Sequence, residues 1–199
     1  MALLSTVAPQ AAKAYQVDCA ILLCLAGGWP ASAECAHARA VFIRRITPWP
    51  IEPPLQIWRC PMGVSERAPL QSTAPKIWEA SNHNGQTLAQ VIQAQVAEGS
   101  AEIDISGLEF DFVRSIRVWD VRHYSHRERG RDDDCSESYN MRLGTYGMQG
   151  DFGWQRTTPA AAPQWVLPSR RCSSSSWRRG VGVEWEDYEG NHGNEWVAY

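Results

Sequence analysis

The chain has 199 residues, of which 44% are hydrophobic and 21% charged, and it carries a formal net charge of −3. This length fits one medium domain or two small ones, and the composition excludes wholesale disorder. The charge balance argues against a nucleic-acid binder, and no apolar run reaches the roughly eighteen residues that a membrane-spanning helix needs.

Residues 1–14 read as a truncated signal peptide. Ala12-Lys13-Ala14 matches the small-x-small pattern of a cleavage site, which places Tyr15 at the mature start. Ala2, Leu3, Leu4, Val7 and Ala8 look like the tail of an apolar stretch, although a charged leader is missing. An ordinary chain start is the alternative.

Residues 15–62 form a cysteine-rich helical segment. Val17 to Ala26 is nearly all apolar and predicts a helix, with Asp18 as its cap and Gly27-Gly28 as its stop. Trp29-Pro30 makes a turn, and Ser32 is placed to cap a second helix over residues 33–46. On that helix Val41, Phe42 and Ile46 share one side, leaving Arg39, Arg44 and Arg45 for water. Pro48, Pro50, Pro53 and Pro54 then break regular structure, and Cys60-Pro61 closes the segment.

Residues 63–84 read as a Pro/Ser-rich linker, interrupted by Ser65, Pro69, Ser72, Thr73 and Pro75. Residues 85–199 predict a helix plus an antiparallel β domain. Leu88, Val91, Ile92 and Val96 have the spacing of an amphipathic helix that Gly99 ends. Beyond residue 101 the period becomes two. Ile103 and Ile105, then Leu108, Phe110 and Phe112, then Ile116 and Val118, and later Val181, Val183 and Trp185 alternate with polar residues, as half-buried strands do. Gly144, Gly147, Gly150 and Gly153 punctuate a stretch holding Tyr146, Phe152 and Trp154, and the Pro, Ala and Ser-rich residues 157–176 predict a long surface loop.

The six cysteines are Cys19, Cys24, Cys35, Cys60, Cys135 and Cys172. An even count without any C-x-x-C favours disulfides over a zinc site, while a cytoplasmic location would leave buried free thiols. Cys24 with Cys35 would pin the two helices, Cys19 with Cys60 would tie back the Pro-rich strap, and Cys135 with Cys172 would remain for the β domain.

Cys19-Ala20-Ile21-Leu22-Leu23-Cys24-Leu25, Trp29-Pro30 and Glu34-Cys35 resemble the TrbM/KikA/MpfK family of conjugal transfer proteins. The resemblance covers about 45 residues and departs after Ile46, where the Pro-rich stretch begins. It implies a small exported protein with cysteine-stapled helices, associated with type IV secretion and mating-pair formation. It brings no catalytic residues.

Histidines and carboxylates give the chain its candidate chemistry. His123 and His126, followed by Asp132, Asp133, Asp134 and Cys135, offer metal-ligand types, yet the run of mixed charge predicts a solvated loop between strands. Asn191-His192-Gly193-Asn194-Glu195 has the look of a hydrolase fragment but better suits a hairpin turn. Ser173 to Ser176 lacks a nucleophile motif. Glu184, Glu186, Asp187, Glu189 and Glu195 give the C-terminus an acidic wet face.

The expected class is therefore α+β: a small disulfide-stapled N-terminal helical hairpin, then an antiparallel β-rich domain with one amphipathic helix. The expected protein is a non-enzymatic envelope accessory of conjugative transfer, periplasmic or otherwise exported. It would bind protein partners, with the mating-pair apparatus among them, and neither nucleic acid nor a cofactor. Ten tryptophans supply core anchors or a sticky surface, and Trp165 and Trp177, in or beside the surface loop, are the candidate partner contacts. The rivals are a metal-dependent periplasmic hydrolase using His123, His126, His192 and Glu195, and a cytoplasmic mobile-element protein with reduced thiols.

Overall fold

A computed structural model describes residues 13–47, 50–60, 85, 87, 90, 104–127, 135–168 and 176–199. The linker 63–84, the helix expected around Leu88 to Val96 apart from Gln90, and Cys172 lie outside the described residues.

The N-terminal segment is the expected hairpin of two helices, α1 (Lys13–Ala26) and α2 (Ala33–Ile46). Gly28 ends α1 by taking φ +67°, and the Trp29 N–H turns back to the Cys24 carbonyl at 2.7 Å. Ser32 caps α2, its hydroxyl accepting from the Cys35 N–H at 3.1 Å. The Cys24–Cys35 bridge joins the helices, and Cys19–Cys60 ties α1 to the far end of the strap, the two pairs expected here.

Two expectations for this hairpin are corrected together. α1 begins at Lys13, so Asp18 lies within it and cannot cap it. Arg45 is buried and does not face water. The Arg45 guanidinium donates to both Asp18 oxygens, at 2.5 and 2.9 Å, and to the Pro54 carbonyl at 3.0 Å. The Gln56 N–H adds a bond to Asp18 at 3.1 Å. Helix periodicity had no means of showing that each charge would find its partner inside.

Residues 50–60 cross the molecule as an irregular strap ending in a three-ten turn, Ile57–Arg59. Proline removes ladder donors from such a segment, and a tyrosine supplies anchorage instead. The Tyr146 hydroxyl accepts from the Leu55 N–H at 2.9 Å and donates to the Leu55 carbonyl at 2.6 Å. Burial pushes the Tyr146 phenol far above its ordinary range, so it stays a donor.

The alternation over residues 103–112 does not become a strand in the part described. Residues 104–106 are irregular, Leu108–Phe110 forms a three-ten turn, and a short helix α3 (Asp111–Arg114) follows. Arg114 explains the outcome: its guanidinium binds the carbonyls of Ile105 and Gly107, which a ladder would otherwise use. Phe112 and Val113, adjacent in sequence, are both buried, as a helical turn permits and a half-buried strand does not.

Five antiparallel strands follow: β1 (Arg117–Arg127), β2 (Cys135–Tyr146), β3 (Phe152–Thr157), β4 (Ser176–Glu186) and β5 (His192–Ala198), in the order β3-β2-β1-β4-β5. The fold is α+β. Val118, Val181, Val183 and Tyr146 face the helices, where they join Leu22, Phe42 and Leu55 in one core. Hairpin and sheet thus share their burial. Trp29, Phe42 and Trp185 lock the seam edge-to-face, with centroids 5.3 to 6.1 Å apart. The Tyr188 N–H, in the β4–β5 turn, donates to the Ala26 carbonyl at the end of α1.

The opposite face carries a second, smaller core of Trp119, Val121, Met141 and Val166. Residues 158–168 cover it. In this part of the surface loop expected over 157–176, two three-ten turns, Pro159–Ala161 and Gln164–Val166, lay Trp165, Val166 and Leu167 on the sheet. Gly182 permits the approach, since a Cβ there would sit 2.8 Å from both Trp165 and Val166.

Candidate partner-binding surface

On the helix-facing side, exposure rises along every central strand. In β1 Val118 and Asp120 are buried, Arg122 and Tyr124 are half-buried, and His126 is exposed. In β4 Val183 and Val181 are buried, Arg179 is half-buried, and Trp177 is 75% exposed. In β2 Tyr146 is buried, Arg142 half-buried, and Asn140, Ser138 and Ser136 exposed. The helices cover one half of this face and stop.

Strand register assembles the other half. Tyr124 stands opposite Trp177 and Arg122 opposite Arg179 across the β1–β4 pair, while Asp120 stands opposite Arg142 and Arg142 opposite Arg156 toward β3. Directly paired residues share a face. The Tyr124 and Trp177 rings touch at 5.0 Å between centroids, and the His126 ring runs parallel to Tyr124 at 6.4 Å. Arg142 donates to Asp120 at 2.6 and 3.1 Å and lies over the Trp154 ring at 4.9 Å. Arg179 lies over the Tyr199 ring at 4.8 Å. Burial and the Asp120 carboxylate push the Tyr199 phenol up, against Arg179 and Arg122, which pull it down. Arg122, Arg142, Arg156 and Arg179 therefore stand on this half-face, with Asp120 beneath Arg142.

The structure separates the two tryptophans singled out from sequence. Trp177 belongs to β4 and stands out from the half-face. Trp165 is half-buried on the opposite side, packed over the second core. Loop composition had suggested that both would be exposed; Gly182 supplies the shallow floor that seats Trp165.

His123 and His126 lie on β1, not in a loop, and three residues of strand turn them to opposite faces. His123 is buried against Tyr139, with centroids 4.5 Å apart, and its Nε2 lies 4.0 Å from Glu137. Burial, opposed by Glu137 and assisted by Arg178, lowers its pKa. The hairpin turn expected at Asn191 to Asn194 falls earlier, over residues 187–191, where Asp187 accepts from the Glu189 and Asn191 N–H groups. His192 and Glu195 are then strand residues on opposite faces. His192 pairs with Glu186 at 3.5 Å, and Glu195 with Arg39 of α2 at 2.8 Å. These four side chains do not converge, and no group of three or more metal-ligand side chains does so among the described residues. Asp132 to Asp134 lie outside them. Cys135, the first residue of β2, is disulfide-bonded.

The arginine group escaped the sequence reading because its members come from four strands and are gathered only by register. Its one local trace is Arg122, Tyr124 and His126, which recur at the two-residue period of a single strand face. No protein-family model, curated protein or solved structure matches this chain.

Proposed function

We propose that the protein is an exported, non-enzymatic accessory of conjugative transfer that works in the periplasm by holding another protein. The observation that carries this reading is Trp177: a 75%-exposed indole on a sheet strand, braced by Tyr124, beside an arginine-bearing half-face the helices leave uncovered. Exposed aromatic and arginine side chains are the residues most enriched as interface anchors. Stable disulfides fit an oxidising compartment, and no described helix is long and apolar enough to cross a membrane. The link to conjugation rests on the resemblance of residues 19–35 to the TrbM/KikA/MpfK family.

Complementation tests the proposal. A donor strain deleted for this gene should lose transfer frequency, and the wild-type chain should restore it from the periplasmic fraction. Trp177→Ala should accumulate there to the same level yet restore transfer poorly. Full complementation by Trp177→Ala, or transfer indifferent to the deletion, contradicts the proposal.

A further inference from the structure

We infer that the chain forms a two-fold dimer by pairing β5 with β5 of a second copy, antiparallel and centred on Asn194. β5 ends the sheet order, and no described strand lies beyond it. The Asp187 N–H donates to the Asn191 carbonyl at 2.9 Å, and the Tyr199 N–H to the Arg179 carbonyl at 3.0 Å. Odd-numbered residues of this strand therefore bond toward β4. His192, Asn194, Trp196 and Ala198 turn their N–H and C=O groups to the outer edge, and all four are exposed. Edge strands are ordinarily guarded by charge, proline or a bulge. This row holds no lysine, arginine, carboxylate or proline, and the β4–β5 register runs unbroken from Gly180 opposite Ala198 to Glu186 opposite His192. The other edge strand, β3, places Arg156 in its outward row and runs into the Pro159 turn.

The side chains of β5 suit a copy of itself. An axis on Asn194 sets two neutral amides opposite each other, His192 opposite Trp196 of the second copy, and Glu195 opposite Gly193. Every facing pair is then free of like charge, and Glu195 keeps Arg39 of α2 as its ion-pair partner at 2.8 Å. Moving the axis to Glu195 would set two carboxylates directly opposite each other, which opposes pairing. A two-fold contact uses the same edge on both copies, so it closes and leaves neither β5 open to further chains.

Sedimentation equilibrium of the oxidised full chain should show a reversible monomer–dimer equilibrium. Asn194→Lys and Asn194→Asp, each set against its own copy, should weaken association about tenfold or more. An equimolar mixture of the two should regain it, because lysine then faces aspartate across the axis. Gln155→Lys, at an exposed position of β3, adds the same charge and should leave association unchanged. The mixture also controls for folding, since two misfolded forms would not rescue each other, and thermal unfolding of each form checks it directly. A wild-type chain that stays monomeric overturns the inference and leaves the edge to a strand of another protein. Lys and Asp forms that associate like wild type, or a mixture no stronger than either form alone, overturn it as well. None of these positions belongs to the Trp177 half-face, so association and partner binding are read separately.

Discussion

Asp18 and Arg45 hold each other inside the core, with both carboxylate oxygens receiving guanidinium N–H groups and α1 thereby fastened to α2. Asp18 is fully buried and Arg45 is 9% exposed, so removing one partner strands a charge in the interior. Asp18→Ala or Arg45→Ala should cost about 3–5 kcal/mol, while Asp18→Leu combined with Arg45→Met should cost clearly less. Urea unfolding of the three variants decides this. A double variant as unstable as either single one would show that shape, not charge pairing, governs the site.

The two mapped bridges should differ in worth because they close loops of different length. Cys19–Cys60 spans 41 residues and Cys24–Cys35 spans 11. Loop-closure entropy gives about 4 kcal/mol for the first and about 3 kcal/mol for the second. Replacing each pair by alanine and measuring denaturant midpoints should reproduce that order, and non-reducing peptide mapping should recover both pairs. Free thiols at all four positions in exported protein would contradict the fold.

The hairpin was legible in the sequence because its signals are local: an apolar helix, a glycine stop, a serine cap and cysteines a short loop apart. The strands Val118 and Val181 to Trp185 were legible through their period of two. The 103–112 stretch was misread because alternation is also compatible with a turn once Arg114 claims the Ile105 and Gly107 carbonyls. The candidate surface was legible only at Trp177. Its arginines come from four strands, and pairing register, which no local pattern encodes, brings them together.

His123 should make stability acid-sensitive. Burial lowers its folded-state pKa below the ordinary 6.5, so the unfolded chain binds a proton more readily. Its contribution is thus fully present above pH 6.5 and is lost as pH falls through that value toward the lowered one. Glu137, 4.0 Å from Nε2, moderates the effect, and Arg178 reinforces it. His123→Phe should flatten the stability profile just below pH 6.5 relative to wild type. An unchanged slope in the variant would assign the acid sensitivity to other groups.

Trp165 and Trp177 should behave oppositely on truncation. Trp165 covers the second core over Gly182, so Trp165→Ala should cost about 2 kcal/mol. Gly182→Ala should mimic it, losing about 1–3 kcal/mol by lifting the 158–168 strap. Trp177→Ala should stay within about 0.5 kcal/mol of wild type. Thermal unfolding of the three variants checks the order, and a large loss at Trp177 would make it a structural residue.

The most direct measurement is photocrosslinking in the living donor from neighbouring positions of β4. A benzophenone amino acid at position 177 faces the arginine-bearing half-face, and one at 178 faces the other side of the same strand. A discrete adduct with one envelope protein from 177, absent from 178, is the predicted result. Adducts of equal yield from both positions, or none from 177 while transfer proceeds normally, would contradict the assignment of this face as the partner surface.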